Sequence, residues 1–221
     1  MTRELIDLPM EMKNLPRDKR GFPVPEFVAW FNGEPDFRVI KPGYFMLCVK
    51  NNLCWLCGCK LGSRKWFIAG PMCTVTRTVS EPPMHRLCAE FAVKNCPFMT
   101  KPMARRRDDL PPGVIPPPGE HILRNPGVVA IWETLDYRVF DPQLGQGYLI
   151  TMGEAKNVTF WREARPATRA EVRESVETGL PRLIDSAMKD GEDAVQELTE
   201  TTAEWVHKIF NRFMPEVPAN G

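Results

Sequence analysis

The sequence predicts an α+β fold, with a small β-hairpin and helix unit first and an antiparallel sheet packed by C-terminal helices after it. Three observations carry that prediction. Two ligand-type pairs, Cys54-x-x-Cys57 and His85-x-x-Cys88, bracket short β-rich runs. Four further β-rich runs with turn residues between them occupy residues 127–161. Two stretches with helical apolar spacing follow Thr168. Between the halves, residues 110–119 contain five prolines and two glycines, a composition that excludes helix and favours an extended linker or strap. The organisation expected is residues 1–109, the strap 110–119, and residues 120–221.

In chain order, residues 17–25 are an extended segment and residues 26–31 a short apolar run. Asn32-Gly33 is a two-residue turn signal, so residues 36–40 are expected to return as the second strand of a hairpin. Residues 44–49 read as another strand, leading into the first cysteine pair. A gap of two residues lets a tight turn aim both thiols at one metal, and Gly58 supplies the positive φ that such a knuckle needs. Residues 65–69 and 73–79 are β-rich, and Gly70-Pro71 between them predicts a hairpin. Residues 81–84 form an extended entry to a helix over 85–96, with Leu87, Phe91 and Val93 on its apolar face. His85 and Cys88 are then i and i+3, on one face of the first turn.

Thiolate with imidazole is a donor set that Zn²⁺ prefers, and four protein ligands close its coordination. The spacing therefore assigns a structural zinc to Cys54, Cys57, His85 and Cys88. Cys59 and Cys73 lie near enough in sequence to replace one of the four, whereas Cys48 and Cys96 read as core residues. Knuckle, hairpin and a helix that delivers two ligands resemble the treble-clef zinc finger, from residue 54 to about residue 96.

In the second half, residues 127–133, 137–140, 147–152 and 157–161 suit an antiparallel meander. Thr168-x-x-Glu171 is a capping box, and Val172, Val176, Leu180, Leu183 and Ile184 follow at helical spacing. Gly179 and Pro181 fall inside that pattern, so a kink or break is expected. A last helix over residues 192–214 places Val195, Leu198, Thr202, Trp205, Ile209 and Phe213 on one core-facing stripe.

The chain's 221 residues, 43% of them hydrophobic, suffice for one large core or two modest ones. Seven cysteines, an odd number, and a charged N-terminal start argue against a secreted disulfide framework. No apolar run approaches the ~20 residues of a membrane span, so a soluble, cytoplasmic protein is expected. The net charge of +1 hides an asymmetry. Residues 1–110 hold 18 Lys and Arg against 11 Asp and Glu, while residues 111–221 hold 11 against 17.

The segments at residues 20–25, 30–39, 69–73, 80–88 and 161–171 together resemble a phage- and prophage-associated bacterial protein family, over most of the chain. The resemblance implies phage or prophage origin and a host cytoplasmic setting. It brings no catalytic residue with it.

Three functions are weighed. The first is an accessory role, in which the zinc unit stabilises a surface that binds a host or phage protein. The second is DNA or RNA binding by the basic half, using Arg64, Lys65, Trp66, Arg77 and Arg86, with Arg105, Arg106 and Arg107 as a basic arm. The third is a metal-dependent nuclease of HNH-like type. That chemistry needs a histidine on the hairpin between the ligand pairs, and none occurs there; beyond His85 the chain has His121 and His207 alone. No catalytic residue is assigned.

Overall fold

The computed structural model describes residues 5–105, 109–111, 114, 118, 123–142 and 147–214. Arg106, Arg107, His121 and most of the strap lie outside the described residues.

The expected first hairpin is present. Strand β1 (Val28–Phe31) returns as β2 (Glu34–Ile40) through Asn32 and Gly33, at φ 48° and 80°, the positive values that a two-residue hairpin turn demands. Residues 44–49, expected as a strand, belong instead to helix α1 (Tyr44–Asn51), bracketed by left-handed Gly43 and Asn52. Tyr44 and Cys48, one turn apart, are its buried residues, so burial at helical spacing overrides the local β preference.

The hairpin expected over residues 65–79 does not form. Strand β3 (Lys65–Ala69) is followed by a short helix, α2 (Pro71–Thr76), with Pro71 in its first turn. Proline is pre-set for that position, and the Thr74 hydroxyl donates back to the Pro71 carbonyl at 2.7 Å. Next come β4 (Thr78–Val79), α3 (Arg86–Asn95) and α4 (Pro97–Thr100). Phe91 and Val93 of α3 are buried, but Leu87 is 56% exposed, because the inward position of the first turn belongs to Cys88.

The second half supplies β5 (Val129–Thr134), β6 (Tyr137–Phe140), β7 (Leu149–Met152), β8 (Asn157–Arg162) and β9 (Arg165–Pro166). They do not form a meander. One antiparallel sheet has the order β3-β5-β8-β9, a second the order β4-β7-β6, and β1-β2 stands apart. Every residue of β5 is buried, so it takes an inner place in the sheet, between β3 and β8. Among the described residues, the half-buried β6 pairs with β7 alone. Because β3 precedes the proline-rich segment and β5 follows it, a single sheet joins the two stretches of chain.

That sheet is covered on both faces. Phe67, Ala69, Ala130, Trp132, Val158 and Phe160 point into one core with Val75, Val172 and Trp205. Trp66, Ile68, Val129, Ile131 and Trp161 point into the other, which contains Cys54, Cys57, Cys88 and Trp55. Alternation along each strand is what lets one sheet serve two cores.

Helix α5 (Arg169–Asp190) opens on the predicted capping box. Glu171 N donates to Thr168 Oγ1 at 3.3 Å, and Thr168 N donates to the Glu171 carboxylate at 2.8 Å. The helix runs unbroken through Pro181. Gly179 marks a close approach: a Cβ there would lie 3.1 Å from Met72 of α2. Ile184, expected in the core, is 38% exposed, and Ala187 faces inward in its place. Helix α6 (Glu192–Trp205) continues through a π-helical turn, Val206–Phe210, into α7 (Asn211–Phe213). The wider turn brings Phe210, five residues on, into a stack with Trp205 at 5.4 Å between ring centroids. Ile209 and Phe210 are therefore buried side by side. No helix among the described residues is long and apolar enough to cross a membrane.

Candidate metal centre

The first two donors come from a backbone knuckle. Gly58 N donates to the Cys54 carbonyl at 2.9 Å, and Cys54 N donates to the Cys59 carbonyl at 2.7 Å, which turns Cys54 and Cys57 toward the same point. Trp55 N donates to the Pro83 carbonyl at 3.0 Å and so ties this turn to the segment that enters α3. His85 is the N-cap residue of α3, in extended conformation, and Cys88 lies in the first turn. Knuckle and helix start are thereby held face to face.

The donor atoms of Cys54, Cys57, His85 and Cys88 all lie within 4.8 Å of one another, close enough to hold a metal ion. The three cysteines are buried and His85 is half-buried. His85 Nδ1 faces the thiols, 3.4 Å from Cys57 Sγ and 3.9 Å from Cys88 Sγ. Its other nitrogen, Nε2, donates to the Lys60 carbonyl at 3.0 Å. That bond fixes the ring with Nδ1 aimed at the sulfurs, where a bound cation would take the place of the Nδ1 proton.

The thiols influence one another strongly. Hydrogen bonding from Cys57, then Cys88, holds Cys54 far below the ordinary thiol range. Cys88 is pushed up, chiefly by its hydrogen bonds with Cys54 and Cys57. His85 is raised to about 11 by hydrogen bonds to Cys54 and Cys57. Three sulfurs and one nitrogen converging in a largely dry pocket suit a borderline-soft divalent cation. Such a cation would be held entirely by protein donors.

The leftover cysteines stay outside the cluster. Cys48 is buried, and burial first of all pushes its thiol up to about 11. Cys59 is exposed, and Cys73 and Cys96 are partly buried. Sequence reasoning missed the Lys60 acceptor, which is a backbone group and leaves no signature in residue type.

The basic residues proposed for nucleic acid are dispersed in role. Arg64 pairs with the buried carboxylate of Glu133. Lys65 is buried, donates to the Gly62 and Ser63 carbonyls, and has its ammonium pulled down by burial. Arg86 bonds Glu90 one turn along α3 at 2.7 Å. Trp66 packs against the core that contains the cysteines, while Arg77 and Arg105 are exposed. No family model, curated protein or solved structure matches the chain.

Proposed function

We propose that the chain is a zinc-stabilised accessory protein whose task is to bind a protein partner, of host or phage origin. One observation carries the zinc reading: four protein donors of the Cys₃His type converge around a single point, at the junction of a knuckle and a helix N-terminus. A site with four protein ligands has no position left for substrate, so its metal stabilises the fold. The partner reading is supported by the first hairpin. Trp30, Phe31 and Phe37 are 40%, 43% and 39% exposed on a two-stranded sheet that, among the described residues, joins neither of the others. Large aromatic side chains on an unpaired hairpin are the kind of anchor that protein interfaces use.

Metal analysis of the purified full chain tests the first half, with a single zinc per chain expected. Zinc-free, stably folded protein would sink it. For the second half, the tagged chain is compared with a Trp30→Ala/Phe31→Ala variant in affinity capture from host lysate. A protein retained by the parent and lost by the zinc-replete variant supports the reading. Recovery of nucleic acid alone counts against it.

A further inference from the structure

Cys59 stands two residues beyond the ligand Cys57, on the same turn, and is the exposed thiol among the seven. Its side chain folds back along the chain: Sγ donates to the Cys57 carbonyl at 3.8 Å. Gly58, at φ 73°, bends the backbone between them. Cα atoms two residues apart lie at most about 7 Å from one another when extended, and a bend draws them into the range of about 4.4–6.8 Å that a disulfide needs. The ligand thiols are shielded, with Cys54, Cys57 and Cys88 at 0%, 6% and 0% exposure. A solvent-borne oxidant therefore meets Cys59 first.

From this juxtaposition we infer a redox-controlled release of the metal, which rests on the zinc reading above: a peroxide oxidises Cys59, Cys57 joins it in a disulfide, and the ion departs. In the first step the Cys59 sulfur attacks hydrogen peroxide, the O–O bond breaks, and sulfenic acid and water form. In the second, the Cys57 thiolate gives up its bond to the metal and attacks the Cys59 sulfur. The S–S bond forms as the S–O bond breaks, and hydroxide leaves and takes up a proton. Each sulfur loses one electron, and the peroxide accepts both. Three donors remain, and the loss of one ligand opens the site.

The experiment treats zinc-loaded full chain with hydrogen peroxide, follows released zinc with a chromogenic chelator, and maps disulfides under non-reducing conditions. A Cys57–Cys59 link should appear in step with the zinc. Cys59→Ser, at an exposed position, should slow release by about tenfold or more, with Cys73→Ser as the unaffected control. Release at the parental rate from Cys59→Ser, or a Cys54–Cys57 link instead, would overturn this inference and leave the zinc reading intact. Protein that carries no zinc before peroxide is added overturns both.

Discussion

His85 Nε2 donates to the carbonyl oxygen of Lys60 at 3.0 Å, and this one bond decides which imidazole nitrogen faces the thiols. The acceptor belongs to the chain just beyond the cysteine knuckle, so the first ligand pair orients a member of the second. Fixing a ligand ring through its far nitrogen raises its basicity and lowers the cost of ordering it.

The four donors are expected to act as a unit. Cys88→Ser should lose bound metal and most of the folded protein, since binding free energy at such a site is folding free energy. His85→Cys should retain both, because it keeps four metal-preferred donors and a metal–sulfur bond longer by about 0.2–0.3 Å offsets part of the shorter reach of cysteine. Elemental analysis and circular dichroism of both variants check this. A metal-replete Cys88→Ser would show the donor set to be wrong.

Gly58 has a backbone reason to be glycine. It sits at φ 73°, and a Cβ there would lie 3.0 Å from Glu26 Cγ, whose carboxylate is held by Lys41 at 2.6 Å. Gly58→Ala should cost about 1 kcal/mol or more from the left-handed backbone alone. The shift in the urea midpoint of zinc-loaded protein measures it.

Trp132 is fully buried at the centre of the shared sheet, with Nε1 donating to the Gly153 carbonyl at 3.1 Å. Trp132→Ala should cost about 3–5 kcal/mol, the range for emptying a large aromatic site. Trp132→Phe should cost less, keeping most of the packing while leaving the Gly153 carbonyl without its donor. Equilibrium unfolding of the two variants gives the comparison.

Glu171 gives the fold a pH-dependent contribution. Hydrogen bonds from Arg165 first, then from Thr168, hold its carboxyl at about 2, against an ordinary value of 4.5. A depressed carboxyl stabilises above the unfolded value, and its contribution is lost as pH falls from about 4.5 toward about 2. Glu171→Gln should therefore be less stable than the parent by equal amounts at about pH 7 and about pH 5.5, with a smaller deficit near pH 4. Urea midpoints at the three values test it. A deficit that does not narrow at the acid end would show the carboxylate charge to be irrelevant. Thr168→Ala should cost about 1 kcal/mol through the lost cap.

What was legible in the sequence is what depends on local chemistry. Ligand spacing, the Asn32-Gly33 turn and the Thr168 capping box each act over a few residues, and each is found where its residues predict. What was not legible depends on partners far along the chain. Residues 73–79 carry β-branched side chains, yet Pro71 and the Thr74 hydroxyl start a helix there, and β3 takes β5 as its partner. Tyr44 and Cys48 turn a β-favouring run into α1, because both must reach the core around the cysteines. The meander failed for the same reason: six buried residues in β5 require a neighbour on each side, and no local signal names them.

Cys57 and His85 stand 28 positions apart in the chain and touch at the cluster. Strand β3, helix α2 and strand β4 all lie on the loop between them. A metal bound at its neck would shorten the conformational search of the unfolded chain much as a covalent link would, by about 3–4 kcal/mol of loop entropy for a closure of this length. Phe67, carried on that loop, must still find Trp132 across a far longer stretch of chain. Pairings of such long sequence separation are the slow steps of folding. The ion would then govern how firmly the first half holds, while the pace of sheet assembly is set by the long-range pairing of β3 with β5.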